Sequence, residues 1–110
     1  MVTLDIFNKT KLKIDYGLVE EVVQKAMGEM NAEVSVSIVG APEMKKLHKK
    51  YMETYEVTDV LSWPTEEGVG PDGVIHLGDI VVCEEYLKKP GDLEFLVNHG
   101  CQHLLGRHHE

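Results

Sequence analysis

The first forty residues change hydrophobic period twice, and this restricts the fold more than any other feature of the chain. Val2, Leu4 and Ile6 alternate with Thr3 and Asp5, the period of two expected of a half-buried strand. After Asp15, placed to cap a helix, Leu18, Val19, Val22, Val23, Ala26, Met27 and Met30 recur at helical spacing, while Glu20, Glu21, Lys25 and Glu29 take the other face. The period returns to two at Val34, Val36 and Ile38, and Gly40 and Pro42 end that run. Strand, helix and strand in this order form a βαβ unit, whose crossover is right-handed and whose strands are parallel beneath a helix.

The rest of the chain extends that unit. A second helix starts near Pro42, a residue favoured in the first helical turn, with Met44, Leu47 and Tyr51 inward and Lys45, Lys46, Lys49 and Lys50 outward. Val60 to Trp63 reads as a short strand, Pro64 to Gly73 as a Gly/Pro-rich loop, and Val74 to Cys83 as a strand interrupted by Gly78. Two strands so joined suggest a hairpin at a sheet edge. From about Asp92 to Leu105, the residues Leu93, Leu96, Val97, Gly100, Cys101 and Leu104 form a helical stripe that must face the sheet. The expectation is an α+β fold of order βαβαββα, with a mixed four-stranded sheet covered by helices. With 110 residues there is room for one core, so residues 1–110 are read as a single domain.

Composition removes several classes of function. No run approaches the eighteen or so uncharged apolar residues that would span a bilayer, and Met1 to Thr10 lacks a signal-peptide core, so a cytoplasmic location without membrane contact is expected. Two cysteines, Cys83 and Cys101, are too few for a disulfide framework and are expected to be reduced. A net charge of −8, one arginine (Arg107) and 6% aromatics argue against a general nucleic-acid binder, which usually carries a basic face and stacking aromatics. The excess that calls for explanation is histidine: six in all, with His99, His103, His108 and His109 crowded into the end of the chain.

His99 and His103 lie four residues apart on the last helix, hence one turn apart, and are expected to project from the side opposite the apolar stripe. Gly106 can break the helix and return His109 toward the same point, with His108 as the rival third ligand. The pattern H-x3-H-x2-G-x2-H suits three neutral imidazoles around one cation with a position left for water, the arrangement of a catalytic zinc site. The spacing equals that of the metzincin peptidases in its histidines and glycine. Those enzymes carry a glutamate directly after the first histidine, however, where this chain has Gly100, so the usual base for peptide hydrolysis is missing. Three imidazoles also accept nickel, cobalt, copper or iron, and zinc is the preferred assignment.

Three blocks then resemble the YbeY family of metal-dependent endoribonucleases, bacterial proteins of ribosomal RNA maturation and ribosome quality control. HGCQHLLGRHHE (His99 to Glu110) is similar to the family's HGxLHLxGYDHE, TDVLSWP (Thr58 to Pro64) to TDVLSFP, and LGDIVVC (Leu77 to Cys83) to LGDIVI. The resemblance implies a zincin-like fold, one zinc held by His99, His103 and His109, and single-stranded RNA as substrate, with ribosomal RNA or the small ribosomal subunit as partner. Departures accompany it. Met52 stands where the family carries an arginine thought to engage RNA phosphate, His108 replaces the family's aspartate, and Gln102 a leucine. Lys49, Lys50 or Arg107 can offer a phosphate contact, without the bidentate fork of an arginine in the two lysines.

Other residues carry two readings each. Asp59 orients a ligand imidazole or caps a turn, and Asp79 is a second candidate for the orienting role. Ser62 lines the cleft or bonds within its own sheet. Trp63 packs at the edge or stacks on a base. His76 faces solvent or the cleft, and His48 sits solvated among lysines. The basic face of the second helix is a soluble surface or a place where phosphates are tolerated. Cys101 belongs to the core stripe, and Cys83 is expected to pack likewise. The leading function is a zinc-dependent endoribonuclease. The alternatives are a metallohydrolase acting on peptides or another substrate, and a non-catalytic metal-stabilised ribosome-binding module. No residue stands out as the general base, so attack by water and by a ribose 2′-hydroxyl both stay open.

Overall fold

In the computed structural model the described residues are 2–52, 60–64 and 73–108. β1 (Val2–Asn8) is followed by α1 (Tyr16–Met27), β2 (Ala32–Val39), α2 (Ala41–Met52), β3 (Val60–Pro64), β4 (Ile75–Cys83) and α3 (Asp92–His108), with a short 3-10 turn over Glu84–Tyr86. The sheet order is β1-β2-β4-β3, with β1, β2 and β4 parallel and β3 antiparallel to β4. The fold is therefore α+β with a mixed four-stranded open sheet, and β3 occupies the edge that the hairpin reading requires. The expected loop falls between β3 and β4, where residues 65–72 lie outside the described residues.

Local chemistry sets the first unit. The Asp15 carboxylate accepts the Leu18 N–H at 3.2 Å, which satisfies one of the unpaired donors of the first turn of α1. Gly28, at φ 62°, ends the helix in a conformation that costs glycine little. Val19 and Val23 are fully buried, whereas Leu18, expected on the apolar face, is 42% exposed. One residue turns the helix by about 100°, so Leu18 rotates off the line that Val19 and Val23 bury.

The two faces of the sheet are covered unequally. Val34, Val36 and Ile38 of β2 and Ile80 and Val82 of β4 pack beneath Val19, Val23 and Met27 of α1 and Leu96, Val97, Cys101 and Leu104 of α3. On the other face, among the described residues, α2 contributes, with Met44 and Leu47 closing over Val39, Leu61, Val81 and Cys83. Gly78 marks an irregularity within a continuous β4 and does not end it. Glu33 pairs with His76 but Val34 with Gly78, so Leu77 is the extra residue of a bulge, and Gly78 takes φ 152°. Strict alternation would give Leu77 the same face as Asp79. The bulge changes the phase, and Leu77 joins Ile80 in the larger core.

Both cysteines are fully buried, as the sequence reading of Cys101 and Cys83 requires. Burial pushes the Cys101 thiol from 9.0 up to about 12, and it raises that of Cys83 against an opposing backbone hydrogen bond at Glu85. Because the thiolate is the reactive form, neither cysteine should react with an aromatic disulfide reagent at pH 8 until denaturant opens the fold. The raised Cys101 value also favours the folded state below pH 9.0, and this contribution is lost as pH climbs toward about 12. Alkaline titration followed by circular dichroism should therefore show stability falling across that window.

Candidate metal centre

The site is built by the way α3 crosses β4 and β3. Ile80 of β4 is paired with Ser62 of β3, so both side chains stand on the face that α3 covers. Gly100 lies directly on Ile80. A Cβ added at Gly100 would come within 2.8 Å of Ile80 Cγ2, closer than real side chains approach, and within a tight 3.1 Å of Cγ1. One turn further along the helix, His103 meets Ser62, with Nδ1 and Oγ 2.5 Å apart.

This arrangement modifies the sequence reading in four places. His99 and His103 are both exposed on α3, one turn apart as expected. They are not, however, opposite the apolar stripe. Buried Leu96 lies about 20° from His103 around the helix and buried Gly100 about 60°, so His103 borders the stripe and faces the edge strand. Second, Gly106 does not break α3, which continues to His108, and Gly106 is absent from the glycines with positive φ. His109 lies outside the described residues, as does Asp59, and the same holds for the side chains of His76, Trp63, Met52, Arg107 and His108. Among the described residues no three histidine, cysteine or acidic side chains come together as a metal-binding group.

Third, Asp79 is not positioned to orient either histidine. It follows the alternation opposite to Ile80 and accepts a hydrogen bond from Ser35 on the α2 face of the sheet. Fourth, of the four lysines on α2, Lys46 and Lys50 border a groove of about 390 Å³ over that same face, together with Ser35, Ser37, Glu43 and Asp79. The sheet stands between this groove and the histidines. His48, expected to be solvated, is half-buried. Ser62 is the residue whose part the sequence left undecided. Its register was hidden because strand pairing between β3 and β4 is not written in either segment alone.

The donor set itself suits a borderline cation: two imidazoles at i and i+4 on an exposed helix face match the ligand types and spacing that zinc accepts. The position at which the peptidase signature carries glutamate is turned into the core against Ile80.

A family model described as Endoribonuclease YbeY matches residues 5–110. The chain belongs to the YbeY family. Among proteins named Endoribonuclease YbeY, that of Corynebacterium efficiens is 32% identical over 98% of this chain and 65% of its own length. That of Streptomyces griseus is 31% identical over 99% of this chain and 79% of its own. That of Aquifex aeolicus is 34% identical over 82% of this chain and 65% of its own. The chain thus spans about two thirds or less of two of these YbeY relatives, and 56% of the one from Corynebacterium diphtheriae. The region matched in the YbeY family takes in β1 from Asp5 onward, the other three strands and all three helices described above.

Gly100→Ala tests the close approach of α3. Overpacking a tight core site costs about 1–3 kcal/mol, and alanine returns about 1 kcal/mol in helix propensity. The variant should therefore melt below wild type by calorimetry, although alanine is otherwise the better helix former.

Proposed function

We propose that the chain is a zinc-dependent endoribonuclease of the cytoplasm that cuts single-stranded RNA in ribosomal RNA maturation and ribosome quality control. Residues 1–110 act as one zincin-like domain in this reading, and its partner is ribosomal RNA or the small ribosomal subunit. The observation that carries the proposal is the pair His99 and His103 on the exposed flank of α3, with His103 seated against Ser62, in a chain that belongs to the YbeY family. No helix among the described residues is long and apolar enough to cross a membrane.

His99, His103 and His109 would hold the metal, all through imidazole nitrogen. The chemistry supplied by zinc is Lewis-acid polarisation of a phosphoryl oxygen and activation of water near neutral pH. The chain's own contribution is positional. The rigid turn of α3 sets the spacing of His99 and His103, and the packing of Gly100 on Ile80 fixes the depth at which they stand. Lys46 and Lys50 offer positive charge to RNA phosphates on the far face of the sheet, a contact that requires the strand to pass round the β3 edge.

The geometry disfavours the peptidase alternative, since a carboxylate at position 100 would have to displace Ile80 before reaching the histidine face. Elemental analysis of the purified protein should find about one zinc per chain, lost in His103→Ala and retained in Asp79→Asn. Zinc-loaded wild type should fragment single-stranded ribosomal RNA, a chelator should stop it, and His103→Ala should cut at background. RNA left intact by fully zinc-loaded protein would refute the nuclease reading.

A further inference from the structure

We infer that Ser62 is a positioning residue for His103: its hydroxyl oxygen accepts the Nδ1–H of the ring and holds the tautomer in which Nε2 carries the lone pair. The usefulness of that tautomer to a metal rests on the function proposed above, while the hold on the ring rests on geometry alone.

Ser62 lies in the middle of β3, a five-residue edge strand, and its backbone is fixed in register opposite Ile80. Its side chain is directed onto the α3 face by the same alternation that sends Leu61 into the α2 core. α3 rests on Ile80 through Gly100, and His103, three residues along, is delivered over the neighbouring strand to Ser62 at 2.5 Å. The hydroxyl is anchored on a strand and the imidazole on a helix packed against it. Their contact therefore joins two rigid elements.

A hydroxyl can accept from an imidazole N–H or donate to a bare ring nitrogen, and the two cases have opposite consequences. If Nδ1 donates, Nε2 is left as the basic nitrogen of a ring that, like that of His99, is exposed on α3. If Ser62 donates, Nε2 carries the proton and cannot bind a cation until that proton is lost. A ligating histidine generally gives its second ring N–H to an oxygen partner, which sets the ring orientation and raises the basicity of the ligating nitrogen. The neutral hydroxyl of Ser62 is the oxygen placed at Nδ1, whereas Asp79 is engaged by Ser35 on the other face of the sheet. A neutral partner orients the ring without adding the negative charge that a carboxylate would bring.

The test uses the metal-free full chain labelled with nitrogen-15, at a pH about two units above the ordinary imidazole value of ~6.5 so that the rings are neutral. Two-bond proton–nitrogen correlations then report which nitrogen of each ring is protonated. Wild type should show His103 protonated at Nδ1, Ser62→Ala should move it toward the Nε2–H form, and Ser62→Thr, which keeps the hydroxyl, should restore it. His99 serves as the internal control and should not change. Zinc affinity measured by chelator competition should fall about 10- to 100-fold in Ser62→Ala and return in Ser62→Thr. His103 protonated at Nε2 in wild type overturns the inference without any variant, which covers the case in which Ser62→Ala does not fold. An unchanged tautomer in folded Ser62→Ala overturns it equally. Wild type that takes up no zinc while His103 is protonated at Nδ1 refutes the metal reading and supports the hold of Ser62 on the ring.

Discussion

The contact between Gly100 and Ile80 controls the rest of the structure. With no side chain at position 100, α3 settles onto β4 at a separation that a single methyl group would prevent. Everything on the exposed flank follows from that depth. Leu96, Val97, Cys101 and Leu104 are carried into the core, and His103 is lowered to the level of the edge strand. Glycine inside a helix costs about 1 kcal/mol relative to alanine. Here that cost is offset by packing that no other residue would allow.

The same contact separates this chain from peptidases whose histidine spacing it shares. In those enzymes the residue after the first histidine supplies the catalytic carboxylate. Here that residue is consumed by helix–sheet packing, so the position is structural. The two faces of the sheet also divide the polar groups: His99 and His103 stand with α3, and the Ser35–Asp79 pair and the Lys46 and Lys50 groove stand with α2. The RNA proposed as substrate would have to pass the β3 edge to meet both.

Much of the fold was legible because period and burial agree. The alternation of Val34, Val36 and Ile38 and the helical recurrence of Val19, Val23 and Met27 gave the βαβ unit, and the placement of β3 at an edge followed from its pairing with the next segment. What the sequence hid depends on relations between segments. The bulge at Leu77 reverses the facing of everything before it in β4, and nothing local to Asp79 reveals that it points away from the histidines. Gly106 looked like a helix terminator, but glycine permits a turn without requiring one, and α3 runs through it. Ser62 became informative once β3 and α3 were placed together.

The proposed metal centre is wholly imidazole, with both thiols retained in the core. X-ray absorption at the zinc edge of the zinc-loaded protein tests this most directly. It should show nitrogen or oxygen scatterers at about 2.0–2.1 Å with the outer-shell pattern of imidazole rings and no sulfur. A sulfur shell at about 2.3 Å would mean that Cys83 or Cys101 leaves the core to bind the metal, and it would contradict both the assigned ligands and the packing of α3.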